Sequence, residues 1–116
     1  MRIPDRLKIG GHEYRVMYPY HFVERGDING QHDADLCVIK IDDRDSYSHE
    51  LRSESSIAVT FLHELLHACD RVTGHGVFNG AEGEKILEGL SEVLFQVLRD
   101  NGLDFSEEDG GPGNAC

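Results

Sequence analysis

The stretch Ser53–Gly74, SESSIAVTFLHELLHACDRVTG, decides how the rest of the chain is read. Ile57, Ala58, Phe61, Leu62, Leu65, Cys69 and Val72 recur at the period of an α-helix. Ser53 can cap its start and Gly74 its end. Downstream, a second helix is expected from about Ala81 to Asn101, with Ile86, Leu87, Leu90, Val93, Leu94, Val97 and Leu98 as its core stripe. Upstream the pattern changes. Arg6–Ile9 and His12–Val16 flank Gly10-Gly11, a two-residue hairpin turn that sets Leu7 opposite Tyr14 and Ile9 opposite His12. Gly26–Gly30 signals a turn, Leu36–Ile41 reads as a more buried strand, and Asp42–Arg52 reads as a polar loop. Strands followed by helices predict an α+β fold: a small N-terminal antiparallel or mixed sheet, then two packed helices.

The 116 residues fit one domain, expected over residues 1–103. Residues 104–116 are acidic and Gly-rich with little to bury, which predicts a disordered tail and leaves Cys116 as an exposed thiol. Eleven basic residues against twenty-two acidic ones give a net charge of −11. Nucleic acid and anionic membrane surfaces are therefore unsuited partners, because both are bound through clustered Lys and Arg. No apolar run approaches the length of a membrane span, and Met1–Asp5 lacks a signal-peptide core. With an odd set of cysteines at unrelated spacings, the expectation is a cytoplasmic, reducing setting.

Chemistry enters at His63-Glu64-Leu65-Leu66-His67. Four residues apart on a helix, the two histidines project from one face and can share a metal ion. Glu64 is rotated by about 100° from His63, a position from which it reaches a water beside the metal rather than the metal itself. This geometry suits Zn²⁺, with the carboxylate as proton acceptor.

Zinc needs a third protein ligand, and Asp70, His75, Glu82, Glu84, Glu88 and Glu92 are the candidates downstream. Asp70 and Thr73 stand where an H-E-x-x-H-x-x-G-x-x-H site has Gly and His, which excludes that class. His75 follows the helix stop. Glu88 and Glu92 share a helical face, and two acids at that spacing repel by a few tenths of a kcal/mol unless a cation intervenes. They are either two solvated acids, or a metal ligand and the partner of a ligand imidazole.

The pairing of His63–His67 with Glu88-Gly89-Leu90-Ser91-Glu92 resembles the gluzincin zinc metallopeptidases. The whole pattern also resembles small phage-encoded H-E-x-x-H proteins, which implies a minimal zincin-like core. Carried over by position, the resemblance implies one zinc ion on His63, His67 and Glu88, with Glu64 as general base and Glu92 supporting His63. It implies a zinc-dependent hydrolase of the metallopeptidase type acting on a peptide or protein substrate, with the edge of the Leu36–Ile41 strand offered to that substrate. Glu92 stands where the family has Asp. No counterpart of the domain that supplies the family's oxyanion donor is expected, which leaves Tyr47, His49 and His75 as substitutes. The alternative is a non-catalytic, zinc-stabilised protein-interaction module. Gly89, beside Glu88, is expected to allow a close approach between the helices.

Overall fold

The computed structural model of the protein describes residues 2–23 and 27–103. The expected tail at 104–116, Cys116 and the first residue of the Gly26–Gly30 turn lie outside these described residues. Four strands, β1 (Arg6–Ile9), β2 (His12–Met17), β3 (Gly30–Asp33) and β4 (Val38–Ile41), precede two helices, α1 (Glu54–Thr73) and α2 (Gly80–Asp100). The sheet is mixed, in the order β1-β2-β4-β3. The α+β architecture expected from the sequence is therefore the one observed.

The β1–β2 hairpin pairs Leu7 with Tyr14 and Ile9 with His12, so Ile9, Tyr14 and Val16 enter the core together. Gly10 takes φ +61°, which its lack of a Cβ permits, and a Cβ there would stand 2.7 Å from Val72 Cγ1 on α1. β4 pairs in parallel with β2 and antiparallel with β3, so both its edges are occupied. The expectation that Leu36–Ile41 presents a free edge is thus corrected. Leu36 and Cys37 lie in the preceding turn, and β4 is an interior strand because Ile39 and Ile41, both fully buried, need cover on two sides.

The free edge beside α1 belongs to β3, whose sequence Gly-Gln-His-Asp carries no apolar alternation. Polar residues suffice there because pairing with β4 satisfies one side of its backbone. A Cβ at Gly30 would stand 2.7 Å from Thr60 Cγ2 and 3.3 Å from Glu64 Oε2, so glycine lets this strand lie directly on α1.

α1 begins as expected. Ser53 Oγ accepts the Ser56 N–H at 3.1 Å, and Gly74 closes the helix at φ +79°. Phe61, Leu62 and Ala68 are fully buried, and Leu65, Cys69 and Val72 pack against the same core. Arg52 ties the helix start to the preceding loop by donating to Asp42 O at 2.7 Å and Ser56 Oγ at 3.0 Å.

α2 runs back along α1. Its approach is fixed by Asp70, whose carboxylate accepts the N–H groups of Val77 at 2.9 Å and Phe78 at 3.0 Å. Those two hydrogen bonds hold the Asp70 carboxyl below its usual range, the Phe78 N–H being the larger cause. The buried face of α2 is Gly83, Leu87, Ser91 and Phe95, with Leu94 and Leu98 half-buried beside it. Ile86, Leu90, Val93 and Val97 are 56%, 43%, 59% and 39% exposed, so the expected stripe is rotated and only part of it is core. Both sets recur at three- and four-residue spacing, and the inner one is the set that carries the small residues Gly83 and Ser91. At Gly83 a Cβ would stand 2.4 Å from the Phe78 carbonyl carbon, whereas at Gly89 it would meet nothing within 4 Å. The close approach between the helices expected at Gly89 is therefore not made there; the tightly packed glycine of α2 is Gly83, which lies on the backbone of the preceding loop at Phe78. No helix among the described residues is long and apolar enough to cross a membrane.

Candidate metal centre

α1 places His63 and His67 one turn apart, their ring centroids 5.0 Å from each other and their side chains largely buried. The first turns of α2 bring Glu84 between them. Its Oε2 lies 2.7 Å from His63 Nε2 and its Oε1 2.9 Å from His67 Nε2. Donor atoms of these three residues all lie within 4.8 Å of one another. A tetrahedral ion with ligand bonds near 2.0–2.1 Å holds its donors about 3.3 Å apart. Admitting one here therefore needs an outward movement of the Glu84 carboxylate of about half an ångström. Two imidazoles and a carboxylate are also the donor chemistry of hydrolytic zinc centres, so the residues fit the ion.

Glu88, expected as the third ligand, is not brought to the histidine pair. It is exposed on α2 and lines the neighbouring cleft with Glu64 and Glu92. The reason is helical drift. Each step of four residues turns about 40° further round the axis, so Glu84 faces α1, Glu88 is turned away from it and Glu92 further still. Glu92, expected to orient His63, makes no hydrogen bond to it among the described residues; it lies on the wall of the same cleft.

Glu64 stands where the motif predicts, beside the pair but off it. Its carboxyl is raised from 4.5 to about 7, chiefly by burial, with the Glu84 charge adding to the rise and His67 opposing it. It opens into a cleft of about 630 Å³ between the start of β3, α1 and α2. The Glu64 carboxyl forms no hydrogen bond or ion pair among the described residues, which leaves its oxygens available to water in that cleft.

Tyr47, His49 and His75, considered as oxyanion donors, are all exposed, and none of them lines the cleft with Glu64. Asp70 serves the loop before α2 instead of a ligand histidine. Cys69 packs with the core as expected. A second group of donors, His21 with Asp42 and Asp43, also converges. Asp42 Oδ1 already accepts the Arg44 N–H at 3.0 Å and His21 is exposed, so this set is less organised than the first.

Two residues important to the centre were not singled out in advance as such. Glu84 was one of six candidate ligands, and the signal that favours it is its place after Gly83 at the start of the second helix. His32 is the other. Its imidazole stacks on Tyr14 with centroids 6.1 Å apart, and its Nε2 is buried without a hydrogen-bond partner. Burial foremost, then the neighbouring His67 and Arg71, hold its pKa below the usual histidine value. No protein-family model matches the chain, and no curated protein and no solved structure matches it either.

Proposed function

We propose that the protein is a zinc-dependent hydrolase of the metallopeptidase type, with His63, His67 and Glu84 holding the metal and Glu64 acting as general base. The observation that carries this reading is the convergence of two imidazole nitrogens and one carboxylate beside a second, buried carboxylate that opens onto a cleft. When bound, zinc supplies Lewis acidity toward water and toward a carbonyl oxygen. The chain supplies the rest. His63 and His67 present Nε2 from adjacent turns of a rigid helix, so their spacing is preset. Glu64 Oε2 lies against the backbone of β3 at Gly30, where it can take a proton from a water in the cleft and return it to the leaving amine. The free edge of β3 runs past the same point and can pair with an extended peptide, holding it in register with Glu64. This edge takes the role first assigned to Leu36–Ile41.

A purely structural zinc site closes its coordination with four protein ligands. Three donors converge here, with Glu64 and a cleft beside them, which favours the hydrolase over a zinc-stabilised interaction module. The free thiols of Cys37 and Cys69 suit a reducing, cytoplasmic setting for this activity. The test is Glu64→Gln, assayed with zinc-loaded protein against a library of quenched fluorescent peptides. Zinc content should match wild type while peptide hydrolysis falls at least about 100-fold. Undiminished hydrolysis in Glu64→Gln would overturn the assignment.

A further inference from the structure

Among the described residues, two cavities reach the candidate metal ligands, one of them the cleft beside Glu64. The other, of about 440 Å³, lies past His67 at the end of α1 and is lined by His32, His67, Arg71 and Asn79. β3 borders both, with Gly30 in the first and His32 in the second. A chain laid along β3 through the first therefore passes the metal ligands and enters the second.

The polar groups of this second cavity are mostly donors without acceptors. Arg71 follows His67 by four residues, so the two project from the same face of α1 one turn apart. The protein has twice as many acidic as basic residues, yet the Arg71 guanidinium forms no hydrogen bond or ion pair among the described residues. Asp70, beside it, has its carboxylate committed to the Val77 and Phe78 N–H groups. Asp35 shares a smaller neighbouring cavity with Arg71 but does not pair with it. Asn79 occupies the N-cap position of α2, yet its side chain makes no capping hydrogen bond. His32 adds a buried, unpartnered Nε2.

From this arrangement we infer that the cavity at the end of α1 is a substrate subsite that takes a carboxylate, gripped by Arg71 with Asn79 beside it. The inference rests on the metallopeptidase reading above and names the substrate class for it. Arg71 lies one helical turn, about 5.4 Å, beyond His67. An extended peptide advances about 3.3–3.6 Å per residue. The recognised carboxylate therefore stands one to two residues from the bond that is cleaved. A planar guanidinium matches a carboxylate in a bidentate fork, and the pair is well suited to fixing position along an extended chain. The carboxylate has two possible sources, a free chain terminus and an Asp or Glu side chain, and these differ in what amidation removes.

The experiment uses the zinc-loaded full chain and three hydroxamates, each coupled through a malonyl spacer to one amino acid. The first ends in Ala with a free carboxylate, the second in Ala amide, the third in Glu amide. The hydroxamate anchors each probe on the metal, so dissociation constants from calorimetry read the subsite without any turnover. At least one carboxylate probe should bind about 10-fold or more tighter than the Ala amide. The tighter one identifies the terminus or the side chain as the source. In Arg71→Gln that preference should fall to near unity while zinc content is retained. Equal affinities for all three probes, or a preference that survives in Arg71→Gln, would overturn the subsite while leaving the hydrolase reading in place. A wild-type chain that takes up no zinc would overturn the hydrolase reading, and the subsite with it.

Discussion

Exchanging each of two glycines of α2 for alanine separates a centre built on Glu84 from one built on Glu88. At Gly83 the new methyl would lie 2.4 Å from the Phe78 carbonyl carbon and 2.7 Å from its Cα, both backbone atoms that cannot swing aside. Carbon atoms in contact prefer about 3.5–4.0 Å, so the first turn of α2 and the loop backbone at Phe78 must part by about 1 Å. Overpacking of this kind costs about 1–3 kcal/mol, against a gain of up to about 1 kcal/mol from replacing glycine within a helix. Gly83→Ala should therefore lose about 1 kcal/mol of stability. Because Glu84 is the next residue, zinc affinity should fall about 10- to 100-fold, the range seen when a ligand's support is disturbed. At Gly89 the methyl meets nothing within 4 Å. Gly89→Ala should gain up to about 1 kcal/mol and bind zinc as wild type does. Urea unfolding of the metal-free proteins gives the stabilities, and competition with a chromophoric chelator gives the affinities. A Gly89→Ala variant that loses zinc while Gly83→Ala keeps it would refute the seating of the start of α2 that presents Glu84 to the histidine pair.

Three further outcomes follow from the same packing and electrostatics. In metal-free protein, raising the Glu64 carboxyl from 4.5 to about 7 disfavours the fold by about 3 kcal/mol once both states are ionised. The folded form keeps its proton to higher pH than the unfolded form, so this group's contribution is intact below about pH 4.5 and is lost as pH rises through about 7. Glu64→Gln should thus gain on wild type by about that amount between pH 4.5 and 8, and added zinc should shrink the gain; pH-dependent urea unfolding that shows parallel curves would contradict it. Leu87→Ala should cost about 2–5 kcal/mol, as for a fully buried leucine, whereas Val93→Ala on the exposed face should stay within about 0.5 kcal/mol, read by thermal unfolding. Asp70→Ala strips two loop N–H groups of a charged acceptor and should lower the unfolding midpoint in the same assay.

Local signals in the sequence translated directly into structure. The Gly10-Gly11 turn fixed the pairing of Leu7 with Tyr14, and the Ser53 and Gly74 caps bounded α1 to within a residue. The histidine pair was legible for the same reason, since a four-residue spacing needs nothing but a helix. What escaped depended on partners distant in sequence. β3 is a strand because β4 pairs with it and α1 supports it, and Gly-Gln-His-Asp carries no sign of either. α2 has apolar residues on two faces, so periodicity alone could not orient it, and an error in that rotation carries directly into the choice among Glu84, Glu88 and Glu92. The glycine most visible beside a candidate ligand, Gly89, faces open space. Gly83 and Ser91, small residues at four-residue steps either side of Leu87, lie on the face that is buried.

The central claim is that Glu84 completes the metal centre with His63 and His67. Zinc titration of wild type, Glu84→Ala and Glu88→Ala, each measured against the same competing chelator, tests it most directly. Wild type and Glu88→Ala should each take up one zinc ion with similar affinity, and Glu84→Ala should bind more than about 100-fold more weakly, having lost a ligand rather than a ligand's support. Retention of zinc by Glu84→Ala together with its loss from Glu88→Ala would contradict the account.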